Sequence, residues 1–490
     1  MREKEEYIQF IRRFKLSSIL NACGEMSKYI FNNPSFSKGI AEKDVGILKR
    51  NGGFEKFTVQ IFQWELLKLA FDAIKHCNEH RNKEMQETDL LFALDKLKKY
   101  ENEEQGKVIS KENAMDFMNV LVNEQAYFQE YRIDQEYSRI YKMFHDINKN
   151  PKYIQNNTVS YIDLSEEFKR IVGYDIIDYY ALSMIVYAAV YNQSNVEINN
   201  KLKVDLSSEI TLEKILKFLE DNSVTIKQLK EEETYSLLKL YPIVNFGDRR
   251  FFVVNVFAYL KNIPGRIYWN IRDKFKDKNQ KFTNYFGYCF ECYVEEILHT
   301  YLSKKSFSKI DEAGVGKKAD WKIETNKYLL IIEQKSTLFR RNASDTTPTF
   351  VNEAIDAVDY FTKKTVGEAF EQLRSTNVDT VKEVIRIFVS YEKIYMEEPY
   401  VDKAKQELKI PQEEQYWIVN IEDFENLIAT LGNDEEKFNE VVKKKIILEK
   451  TKDKNGRSLS KINDSEYLGD YFRKIDVFDK HIREGLKIDI

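Results

Sequence analysis

The stretch that most constrains the fold is Gly316–Ser336, GKKADWKIETNKYLLIIEQKS. Tyr328–Ile332 is an apolar run without a polar interruption, the pattern of a strand buried on both faces. It ends in Glu333, Gln334 and Lys335. Side chains alternate along a strand, so Leu329, Ile331, Glu333 and Lys335 are expected on one side. A carboxylate and an ammonium at the end of a buried strand are costly to desolvate. A bound metal ion that neutralises the acids offsets that cost. Asp320 precedes the run on a shorter strand-like segment, with Thr325-Asn326 as the turn between the two.

The D…ExK pattern on two adjacent strands resembles the PD-(D/E)XK nuclease superfamily, over roughly residues 284–428. The resemblance implies an α/β fold: a restriction-endonuclease-like mixed sheet flanked by helices. The order of elements agrees. A helix over Tyr285–Leu302 carries Phe286, Phe290, Val294, Ile297 and Tyr301 on one face. Strands follow at Phe307–Ile310, Ala319–Glu324 and Tyr328–Ser336. Then come a helix at Ala354–Arg374, strands at Val384–Tyr391 and Tyr416–Asn420, and a helix opened by Asp423. Ala319 stands where the family has a proline, whereas the ExK triplet is intact.

The resemblance assigns Asp320, Glu333 and Lys335 to catalysis, with Glu291 of the first helix as an additional acid and Glu295 as its alternative. Asp320, Glu333, the Gln334 main-chain carbonyl and Glu291 are the implied metal ligands. Hard oxygen donors suit Mg²⁺ or Mn²⁺ rather than zinc. Lys335 would orient the attacking water, and Gln372 on the following helix would touch the site. Between Lys304 and Arg341, ten lysines and arginines face five acids in a chain whose net charge is −4. Basic charge is therefore focused near the motif, and Lys317, Lys318, Arg340 and Arg341 are the expected phosphate contacts.

At 490 residues the chain is expected to form two or three domains. The sequence divides into a mainly α-helical N-terminal region (1–230), a hairpin and helical connector (231–280), the nuclease-like domain (281–430) and a helical tail (431–490). Helical patterns cover Phe54–His80, Ala114–Asp146 and Leu164–Asn192, the last broken at Gly173. The short pair Leu212–Leu219 and Thr225–Lys230 has the form of a helix-turn-helix, though such pairs are more commonly plain packing. Ile243–Phe246 and Arg250–Val254 read as a hairpin around Gly247-Asp248. Phe257–Lys274 reads as helix broken at Pro264-Gly265, and Arg272–Lys281 as a linker.

Four cysteines and no apolar leader point to a reducing cytoplasm, and no stretch is long enough to span a bilayer. Cys289 and Cys292 lack a second ligand pair for zinc, and His76 and His80, spaced i, i+4, lack the glutamate of an HExxH motif. The expected activity is metal-dependent phosphodiester hydrolysis, with DNA favoured as substrate, in prokaryotic defence or restriction. The alternatives are an RNase with the same site and a non-catalytic nucleic-acid-binding or assembly protein. A homodimer or a multi-protein complex is expected, because one site cuts one strand.

Overall fold

The computed structural model describes residues 2–32, 40–50, 53–109, 114–128, 133–155, 159–193, 195–200, 211–275, 280–303, 306–310, 318–339, 350–450 and 459. The chain is mixed α/β, with helices predominating. A five-stranded sheet is its organising element, and the labels below refer to the elements that build and flank that sheet.

Helix α1 (Lys281–Tyr301) precedes strands β1 (Phe307–Lys309), β2 (Trp321–Glu324) and β3 (Tyr328–Lys335). Helices α2 (Val351–Phe361) and α3 (Gly367–Ser375), joined by a π-helical turn at Thr362–Val366, lead to β4 (Glu383–Ser390). Helix α4 (Glu398–Leu408) crosses to β5 (Gln415–Asn420), and α5 (Ile421–Asn433) follows directly. The strands lie in the order β1-β2-β3-β4-β5. β1, β2 and β3 are antiparallel, and β3, β4 and β5 are parallel.

Alternation along β3 works as the sequence requires. Leu330 and Ile332 pack into a core with Phe286, Phe290 and Val294 of α1 and Phe424 of α5. Leu329 and Ile331 face the other way, onto Phe370 of α3 and Tyr400 and Ala404 of α4. Helices thus cover both sides of the sheet. The β2–β3 turn is tied by Thr325, whose N–H donates to the Tyr328 carbonyl (3.0 Å) and whose Oγ1 accepts the Tyr328 N–H (2.9 Å).

Four sequence expectations change. The N-terminal region contains an antiparallel hairpin, Ile40–Arg50 with Gly53–Phe62, and the helix expected from Phe54 begins only at Gln63. That helix ends at His76, so His80 lies beyond it rather than one turn along it. The helix expected across Ala114–Asp146 is two, Ala114–Ala126 and Ile133–Tyr141, the second continuing into a π-helical turn. Helix Val256–Phe275 runs unbroken through Pro264. Proline at 264 cannot donate to the Leu260 carbonyl, and the Tyr137 hydroxyl does so instead (3.0 Å).

The break at Gly173 (φ +82°) is present, as is the 243–253 hairpin, which turns through positive φ at Gly247, Asp248 and Arg249. Of the pair Leu212–Asp221 and Ile226–Glu231, the first packs inward through Ile215, Leu216, Phe218 and Leu219 and the second through Leu229. The core does not divide at residue 280. One continuous cluster joins Tyr137, Phe168, Tyr180 and Ile263 to the sheet and to Phe438 and Val442 of the helix Glu435–Lys450. Among the described residues no single helix is long and apolar enough to cross a membrane. All four cysteines are free and buried, Cys289 and Cys292 within the core face of α1.

Candidate active site

Asp320 sits on a bend immediately before β2, held by the ladder on both sides. Its N–H donates to the Ile332 carbonyl and its carbonyl accepts from Ile310, both at 2.9 Å. Its carboxylate turns onto β3, where Oδ2 accepts the Gln334 N–H (2.9 Å). Glu333 is almost wholly buried on the adjacent strand, with Lys335 hydrogen-bonded to its Oε1. The other carboxylate oxygen, Oε2, is buried and has no hydrogen-bond partner among the described residues. Lys335 Nζ also donates to Gln372 Oε1 of α3 (2.6 Å), so the expected touch of Gln372 is present.

Burial pushes Asp320 up to about 6, against the Gln334 N–H that favours its ionised form. Burial pushes Glu333 up to about 8, the neighbouring Asp320 charge adding to it and Lys335 opposing it. Two carboxylates side by side, one with an orphaned acceptor, make a place that favours a cation. Their hard oxygens fit Mg²⁺ or Mn²⁺.

Glu291 does not join them. Its carboxylate is hydrogen-bonded to Lys309 of β1, although its charge is still felt at Asp320. Among the described residues no three His, Cys, Asp or Glu side chains gather as a metal-ligand group. The alternative acid Glu295, one turn further along α1, is held by Lys152 (2.9 Å). Gln334 meets Asp320 through its N–H.

Of the four expected phosphate contacts, Lys318 is described, half-buried, next to Ala319, whose N–H donates to Thr376 Oγ1 (2.9 Å). Lys317, Arg340 and Arg341 lie outside the described residues. Two neighbours went unassigned in the sequence. Lys309 is one, and its place opposite Trp321 in the β1–β2 register was readable once the strands were paired. Ser390 is the other: it pairs with Lys335 in the β3–β4 register, and its Oγ is buried without a hydrogen-bond partner among the described residues.

A groove of about 440 Å³ passes beside this strand end, lined by Arg272, Thr283, Asn284, Ser336, Thr337 and Tyr360 among others. The Arg272 guanidinium lies over the Trp269 ring at 4.8 Å. Compared with known proteins, the chain matches no family model, no curated protein and no solved structure.

Proposed function

We propose that the chain is a divalent-metal-dependent nuclease of the PD-(D/E)XK type, hydrolysing phosphodiester bonds in DNA. The observation that carries this reading is the meeting of Asp320 and Glu333 beside Lys335, at the carboxyl end of a buried strand. The element order helix, three strands, helices, strand, helix, strand and the strand order β1-β2-β3-β4-β5 support it. The neighbouring groove, with Arg272 and the hydroxyl and amide groups of Thr283, Asn284 and Thr337, offers donors for a phosphate backbone.

Asp320 and Glu333 would hold the ion, with Glu333 Oε2 as the open donor. Such an ion polarises a phosphate oxygen and lowers the pKa of bound water. Lys335 places positive charge where the phosphoryl oxygens gain negative charge, and Gln372 fixes the direction of its ammonium. Glu291, locked to Lys309, acts on the site through its charge rather than as a direct ligand. The large helical region ahead of the sheet fits a defence or restriction protein by analogy of layout.

The deciding experiment is cleavage of plasmid DNA and of total RNA with Mg²⁺, Mn²⁺ or EDTA. Wild type is compared with Asp320→Ala and Lys335→Ala. Metal-dependent DNA cutting that falls by about 100-fold or more in both variants is expected. Cutting confined to RNA would replace the substrate. Variants as active as wild type would refute the site.

A further inference from the structure

A second cavity, of about 260 Å³, opens beyond the carboxyl ends of β4 and β5. Its walls come from helix Val256–Phe275, the segment 391–395 after β4, the β5–α5 junction and Leu338-Phe339 after β3. Tyr127 and Glu136 close it from the N-terminal region. Crevices outside the carboxyl ends of parallel strands are where open α/β sheets take ligands.

The lining has two characters. One is aromatic, with Tyr127, Tyr241, Tyr268, Trp269, Tyr391 and Tyr395. The other is charged. Lys261 donates to the Tyr127 carbonyl (2.5 Å) and the Tyr395 hydroxyl (3.0 Å), and its ammonium lies 4.1 Å from the centre of the Tyr127 ring. Lys393 pairs with Glu422 (2.9 Å), and Glu136 with Arg139 (2.8 Å). Burial, reinforced by Lys393 and Lys239, pushes Lys261 down to about 7. Glu136 and Glu422 oppose that shift, and an anion beside Lys261 would add to them in offsetting the repulsion from Lys393 and Lys239. Glu392 accepts the Phe339 N–H (3.0 Å) and is pushed up by burial to about 7, which leaves a carboxyl able to donate or accept. The amide of Asn270 adds a further donor and acceptor.

These features narrow the ligand. An apolar molecule would desolvate Lys261, Glu392 and Glu136 without compensating them. A bare inorganic anion would leave the aromatic wall unused. A planar ring with polar edges and one anionic group engages both halves. We propose that this cavity is a binding site for a ring-bearing anion of the nucleoside monophosphate class. The inference does not depend on the hydrolytic reading. The cavity nevertheless borders that strand end: the Tyr391 N–H donates to the Lys335 carbonyl (3.0 Å).

Isothermal titration calorimetry of the full chain tests it. The probes are AMP, GMP, CMP and UMP, with the matching nucleosides and inorganic phosphate as separate arms. At least one monophosphate is expected to bind with Kd below about 1 mM, and about tenfold tighter than its nucleoside or phosphate. Lys261→Met should weaken it by about tenfold with an unchanged circular dichroism spectrum. Trp269→Leu provides an independent variant on the aromatic wall and should weaken it likewise. No monophosphate binding below about 1 mM overturns the proposal, as do phosphate binding as well as the nucleotide, or both variants binding like wild type.

Discussion

At the residue scale, Glu333 defines what the carboxylate pair costs and what a cation would return. Its ordinary value near 4.5 is raised to about 8 in the folded protein, first by burial and then by Asp320. The folded state therefore binds this proton more tightly than the unfolded chain. Its contribution to stability is full below about 4.5 and is lost as pH rises through about 8. Other buried acids, Glu65 and Glu397 among them, have the same slope, so the comparison must be with a variant. In EDTA, the unfolding free energy of wild type from urea titration should fall between pH 5 and 8 more than that of Glu333→Gln, by about 3 kcal/mol. Adding Mg²⁺ at pH 8 should raise the midpoint of wild type only; an equal response of the variant would count against a metal at Glu333. Asp320, Glu333 and Lys335 were legible because alternation and one tight turn fix where they meet. The Glu291–Lys309 pair was not. Helix phase placed Glu291 at the rim of α1, but only the packing of α1 on β1 decides which cation reaches it.

At the element scale, context overrides local preference in both directions. The periodicity from Phe57 to Ala70 fits one helix on paper, yet Phe57, Val59 and Ile61 also alternate, and pairing with Ile40–Arg50 takes that half as a strand. Helix α4 was missed because its charged sequence, EPYVDKAKQEL, has only a thin apolar stripe. The parallel pairing of β4 with β5 nonetheless demands a crossover of that length. Pro264 shows the opposite case, a breaker carried inside a helix because a hydroxyl from elsewhere meets the freed carbonyl. Tyr137→Phe should therefore cost about 1 kcal/mol in urea unfolding, through the loss of this buried hydrogen bond. Tyr180→Phe provides the control, since the Tyr180 hydroxyl donates to the Tyr137 carbonyl (3.3 Å), away from the proline. A Tyr137→Phe cost no greater than that of the control would remove this account of the unbroken helix.

At the scale of the whole molecule, the helical region and the sheet are bound by a buried ion pair. Arg139 grips Glu425 of α5 with two bonds, Nε–Oε1 at 2.7 Å and Nη2–Oε2 at 2.8 Å. Tyr293 of α1 donates to the same carboxylate (2.7 Å), and Arg139 is 1% exposed. Removing the acid takes two bonds from the buried guanidinium and leaves it its Glu136 pair, so Glu425→Ala should destabilise by about 3 kcal/mol, read from urea unfolding. A shift below about 1 kcal/mol would mean that the pair does not join the two parts. Nothing in the sequence points to this contact, whose partners lie 286 residues apart. The sheet itself limits how copies can meet. β5 is buried along its whole length and β1 has only three residues. Strand addition needs an open edge of useful length, and neither end offers one. If two copies act on opposite strands of a duplex, as the proposed function would have it, they would not join through an edge of this sheet. Under that reading the distance between their cuts would not be fixed by a main-chain ladder through this sheet, and single substitutions at the contact would change it.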